Sequence, residues 1–149
     1  MNDYPSKLKE LIEEFKLIES RNDRMDMLIY YADEFMEVSD EIISRPYPEE
    51  NRVPSCESGA FIFSELYHNG NIHFHFAVDN PQGISAKAMA VIVEKTISGE
   101  SPEVVSKIRE EIIYDFFGKN LSMGRNMGLT SMITVIRNHA ISHLTTFTK

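Results

Sequence analysis

One cysteine, Cys56, sits in the run Asn51-Arg52-Val53-Pro54-Ser55-Cys56-Glu57-Ser58-Gly59. Turn-forming residues crowd both sides of it, which predicts a loop leading into a strand, and a rigid scaffold commonly presents reactive groups on such loops. A thiol there becomes a nucleophile on losing its proton, and an unperturbed thiol with a pKa of about 8.5 is already partly thiolate at neutral pH. Polar neighbours Arg52, Ser55, Glu57 and Ser58 favour that use; the opposing reading is a buried, inert cysteine packed as a small hydrophobe. A second constellation is His73-Phe74-His75, whose spacing puts both imidazoles on one face of a strand, with Asp79 able to join them. Two histidines and a carboxylate suit a divalent cation. No third ligand has convincing spacing, so the expectation is no bound metal and a sheet that exposes its polar face to water. The third is Leu121-Ser122-Met123-Gly124-Arg125-Asn126-Met127-Gly128-Leu129. Two glycines around Arg125 at a helix start could hold an anion on unpaired N–H groups. The alternative is that Gly128 permits close helix packing while Arg125 makes a structural hydrogen bond. The segment lacks the GxxxxGK[ST] order of a phosphate-binding loop.

The elements that must position these groups can be read from hydrophobic spacing. Leu8, Leu11, Ile12, Phe15 and Ile18 form one helical stripe. Met25, Leu28, Ile29, Ala32, Phe35 and Met36 form a second, weakening near Ser44 before Pro46 and Pro48. The pairs Met25/Met36 and Met127/Met132 are expected in the core. Residues 60–67 are β-branched, aromatic and mostly apolar, and Ile72, Phe74, Phe76 and Val78 alternate with polar residues, so both segments read as strands. Asn69-Gly70 between them is a hairpin signal, since both residues tolerate positive φ. Further helices are predicted over 85–97, from Ser101-Pro102-Glu103 continuously to Gly118, and from about Met123 to Leu144. Helices, then a small antiparallel sheet, then helices packed on one of its faces give an α+β fold.

The chain of 149 residues has an even composition, no internal repeat and no flexible linker, so 1–149 reads as a single domain. Fifteen basic against 23 acidic residues leave a net charge of −8, which argues against nucleic acid and anionic membrane as partners. No apolar run reaches membrane-spanning length and the N-terminus lacks the order of a signal peptide. With one cysteine and no internal disulfide, a reducing cytoplasm is the expected address.

Taken together and in order, these pieces resemble the SufE family, small proteins that accept sulfur from a cysteine desulfurase for iron–sulfur cluster assembly. Residues 51–58 are similar to that family's Asn-x-Val-x-Gly-Cys-Gln-Ser loop, and residues 121–132 to its L-[ST]-x-x-R-x-x-G-L-x-x-M segment, with a hairpin and a helix between them. The resemblance implies that Cys56 receives persulfide sulfur from the desulfurase and passes it to an iron–sulfur scaffold protein. It further implies that Arg125, near the loop tip, steadies the charge; Arg52 is the second candidate. No cofactor is implied, and the protein would act as partner and activator of a desulfurase rather than as a stand-alone enzyme, either as a monomer or as a homodimer. Ser55, Glu57 and Phe61 stand where the family has glycine, glutamine and tryptophan. Glu57 is the departure that bears on chemistry, because a carboxylate beside a thiol disfavours thiolate. Two other readings remain open here: a non-catalytic binding module with a structural cysteine, and a cysteine-dependent hydrolase using His73 or His75 as base.

Overall fold

The computed structural model describes residues 3–147, with side chains to residue 144. Among the described residues, six α-helices and a two-stranded antiparallel sheet form an α+β fold. In chain order these are α1 (Ser6–Lys16), α2 (Arg21–Asp33), β1 (Ala60–Leu66), β2 (Ile72–Val78), α3 (Ile84–Thr96), α4 (Pro102–Val105), α5 (Ile112–Phe117) and α6 (Met123–Phe147).

The core is built around α3. Ala86, Ala88, Met89, Ala90, Val91, Ile92 and Val93 are all buried, and a helix apolar all round belongs inside a fold. It lies against α2, β2, α1 and α6. α1 adds the predicted stripe of Leu8, Leu11, Ile12 and Phe15, and Phe15 meets Phe116 of α5 edge to face at 5.0 Å. In the sheet, Ala60, Ile62, Ile72, Phe74, Phe76 and Val78 face this core. The opposite face is covered too: Phe61, Phe63 and Ala77 pack with Val38 and Tyr47 from the chain that leaves α2. The strands are joined over residues 67–71 by a turn in which Gly70, at φ +85°, takes the left-handed conformation that both Asn69 and Gly70 tolerate, and Asn69 does not.

The structure corrects three sequence expectations. α2 ends at Asp33, well before Ser44, because the following residues cross to the sheet, where Val38 N–H donates to Phe76 C=O at 2.9 Å. Met25, Met36 and Met127 are exposed rather than core, and only Met132 of those four is buried. The α2 stripe packs mainly on one helix, α3, so a narrow line of Leu28 and Ala32 suffices. Finally, the helix expected from Ser101 to Gly118 is broken over residues 106–111 into α4 and α5. Side chains from elsewhere take up the freed backbone groups: Arg109 N–H donates to the Tyr4 hydroxyl at 3.1 Å, and Arg137 donates to Ile108 C=O at 3.1 Å.

At this break Arg137 also pairs with Glu110, whose carboxylate accepts from the Thr134 hydroxyl as well. The Arg137 hydrogen bond pulls the Glu110 carboxyl down from its ordinary 4.5 to about 2. A depressed carboxyl contributes stability above its unfolded pKa, and that contribution is lost as pH falls from about 4.5 toward 2. Both side chains are about three-quarters buried, and after allowing for solvent screening the contribution is about 2 kcal/mol. Glu110→Gln should therefore lower the urea midpoint at pH 6 and leave it nearly unchanged near pH 2, where wild type and variant converge.

Candidate functional site

Cys56 sits on the loop between the short 3-10 turn Glu49–Asn51 and β1. Both ends of that loop are tied to the sheet. Asn51 donates from Nδ2 to Ile62 C=O at 2.9 Å, and Val53 N–H to Ala60 C=O at 2.8 Å. On the far side, Asp79 N–H donates to Gly59 C=O and Asn80 N–H to Ser58 C=O, both at 3.0 Å. Two residues of the loop, Ser55 at φ +61° and Gly59 at φ +68°, are left-handed. Such a conformation is cheap for glycine and costs a serine about 1 kcal/mol. The glycine of the resembled pattern at position 55 thus has a backbone reason, which this chain meets with a strained residue instead.

Two glycine contacts seat the loop tip. Gly128, on the second turn of α6, is buried where an added Cβ would meet Cys56 Cα and Ser55 O, each at 3.4 Å. Gly83, which precedes α3, faces Ser58: a Cβ there would come within 2.8 Å of Oγ and 2.9 Å of Cβ. Of the two readings open for the 121–129 segment, close packing describes Gly128, although what it admits is the cysteine loop rather than another helix. Ser122 caps α6 by accepting Arg125 N–H at 3.3 Å, which uses one of the N–H groups an anion would need.

Beside Cys56 lies a cavity of about 210 Å3. Ala86, Leu129 and Met132 form apolar wall, while Ser58, Gln82, Ser85 and Arg125 supply polar groups. The thiol is half-buried, and Arg125 is exposed with no side-chain ion pair or hydrogen bond among the described residues. Cys56 and Arg125, 69 positions apart in sequence, thus line one space. Arg52 does not line it. Its guanidinium bonds Glu49 at 3.1 Å, approaches Asp79 at 3.9 Å and lies 4.6 Å over the Phe61 ring. The histidines are elsewhere as well: His73 stacks on Tyr67 at 3.5 Å, and His75 Nε2 bonds Glu65 at 2.8 Å. Among the described residues no group of three or more His, Cys, Asp or Glu could hold a metal ion. Sequence reasoning missed Gly83; the only signal was its place in the turn Asn80-Pro81-Gln82-Gly83.

A family model described as "SufE: Fe-S metabolism associated domain" matches residues 9–140 of this chain. The chain belongs to the SufE family. A role in iron–sulfur metabolism follows from that membership. The SufE fold recurs in the solution structure of a hypothetical protein from Thermus thermophilus, with a TM-score of 0.72 and 24% identity over 95% of this chain and 98% of that one. No curated protein matches the sequence significantly. Among the described residues of this SufE domain, no helix is long and apolar enough to cross a membrane.

The Asn51 anchor gives a direct test of how the loop is held. Ile62 is fully buried, so Asn51→Ala leaves its carbonyl without that donor. The expected cost is about 1 kcal/mol in stability, accompanied by faster labelling of Cys56 by a thiol reagent under native conditions.

Proposed function

We propose that this chain accepts sulfur from a cysteine desulfurase onto Cys56 and delivers it for iron–sulfur cluster assembly. The observation that carries this reading is the shared cavity: a half-buried thiol with open space beside it and an uncommitted guanidinium lining the same space. In the transfer, the Cys56 thiolate attacks the outer sulfur of the donor's persulfide. A new S–S bond forms at Cys56, the donor's S–S bond breaks, and its electron pair leaves on the donor cysteine, which takes up a proton. No net oxidation occurs. Exchange of this kind depends on thiolate at the attacking sulfur and on access to it.

Arg125 has a role on both sides of the step, as a positive charge near an attacking thiolate and then near a bound persulfide anion. The apolar wall of Ala86, Leu129 and Met132 shelters the carried sulfur from oxidants and stray thiols. Delivery requires the opposite, that the tip reach a partner, and the loop is suited to this because it is tied to the sheet at its ends rather than at its tip. Acidic helix surfaces, in keeping with the net charge of −8, would steer a complementary partner. A reducing cytoplasm remains the proposed setting.

The hydrolase reading loses support, because neither His73 nor His75 lines the cavity and each ring has another partner. A purely structural cysteine is disfavoured by the empty volume on its flank. Intact-mass measurement after incubation with a desulfurase and cysteine tests the proposal: one added sulfur on Cys56 is expected, and an unchanged mass would overturn it.

A further inference from the structure

The cavity is larger than one carried sulfur needs. A water molecule occupies about 30 Å3 of liquid and a sulfur atom is of similar bulk, whereas the space beside Cys56 measures about 210 Å3. Two opposite charges line the same space. The Glu57 carboxylate lies against the first turn of α6, where a Cβ on Gly124 would be 3.2 Å from its Oε1, and Arg125 is the next residue along that turn. Both line the cavity, and neither charged head has an ion-pair or hydrogen-bond partner among the described residues, the other included. Exposed opposite charges left apart at the rim of a space with one apolar wall, and with a nucleophilic sulfur beside them, are complementary to a small zwitterion that itself carries sulfur.

Resting on the persulfide-carrier reading, we infer that this cavity admits a low-molecular-weight α-amino-acid thiol, cysteine being the simplest, and that such a thiol takes sulfur directly from loaded Cys56. The carboxylate of the small molecule faces Arg125, its ammonium faces Glu57, and its thiolate attacks the outer sulfur of the Cys56 persulfide. The S–S bond to Cys56 breaks, a new one forms on the small thiol, and the electron pair stays on Cys56 as thiolate, which then takes up a proton. The products are the free carrier and a small-molecule persulfide, with no outside oxidant or reductant. Glu57 is the specificity-determining group, because the glutamine of the resembled pattern has similar size and no charge to attract an ammonium.

The test bypasses the desulfurase. Cys56 is converted to an aromatic mixed disulfide and then treated with hydrosulfide, which displaces the aryl thiolate and leaves the persulfide. Discharge is followed as loss of one sulfur by intact mass, using cysteine, cysteamine, 3-mercaptopropionate and 2-mercaptoethanol at equal thiolate concentration. Cysteine is expected to react about three- to fivefold faster than its thiol pKa alone dictates, the scale set by exposed ion pairs. Glu57→Gln should reduce that advantage to the share owed to Arg125, and also lower the cysteamine rate relative to 3-mercaptopropionate. Four thiols falling on one line set by pKa would overturn the inference, as would an unchanged ranking in Glu57→Gln or a thiol that the aromatic reagent cannot reach in the folded protein. Failure to load from a desulfurase would instead sink the carrier reading, while charge-selective discharge of the chemically loaded protein would still stand.

Discussion

Cys56→Ser is expected to take up no sulfur from a cysteine desulfurase, whereas wild type should gain one sulfur atom per chain. The reason is chemical rather than steric. A serine hydroxyl occupies nearly the same space, but it is scarcely ionised at neutral pH and forms no persulfide, so the exchange reaction has no acceptor atom. Because Cys56 is half-buried beside open volume and makes no disulfide, its replacement by serine should shift the urea midpoint little. The check has two readouts, intact mass for loading and a denaturation curve for folding. Sulfur uptake by the serine variant equal to wild type would place the acceptor elsewhere, and loss of uptake together with loss of folding would point to a structural cysteine.

Gly83→Ala should displace the cysteine loop without touching a reactive atom. Gly83 is buried at the start of α3, with φ −76°, a backbone conformation open to any residue. Space is what forbids a side chain there: an added Cβ would come within 2.8 Å of Ser58 Oγ, 2.9 Å of Ser58 Cβ and 3.1 Å of Val78 Cγ1. Val78 is core and held in β2, so the Ser58 side has to give. Overpacking of this kind costs about 1–3 kcal/mol. Ser58 is two residues from Cys56 and bonds Asn80 through its carbonyl, so its movement carries the thiol away from the cavity wall. The expected outcome is a lower melting temperature, faster alkylation of Cys56, and faster oxidative loss of a loaded sulfur. Alkylation at the wild-type rate in a destabilised variant would show that the loop does not depend on this contact.

Local chemistry made much of this legible in the sequence. The α1 stripe, the alternation of β2 and the capping serine at position 101 act within a few residues, and each element starts where those signals lie; Ser101 accepts N–H from Val104 at 3.2 Å. The candidate thiol and Arg125 were legible as residue types in turn-rich or glycine-flanked segments. Their meeting at the loop tip was implied only by the family resemblance and not by any local signal, since 69 positions of chain separate them and α3 has to pack between sheet and helices before they can meet.

Composition and spacing determined that the chain is α+β, that Cys56 lies on a loop before a strand, and that a long helix begins near Arg125, because capping, periodicity and turn preference depend on neighbours in sequence. The tertiary structure alone decided that the helix after Ser101 breaks where Tyr4 and Arg137 take over its backbone bonds. It decided that Arg52 is committed to Glu49 and Asp79 while Arg125 stays available. It also made Gly83 and Gly128 the seat of the cysteine loop, because which side chains fit together depends on distances between segments remote in sequence.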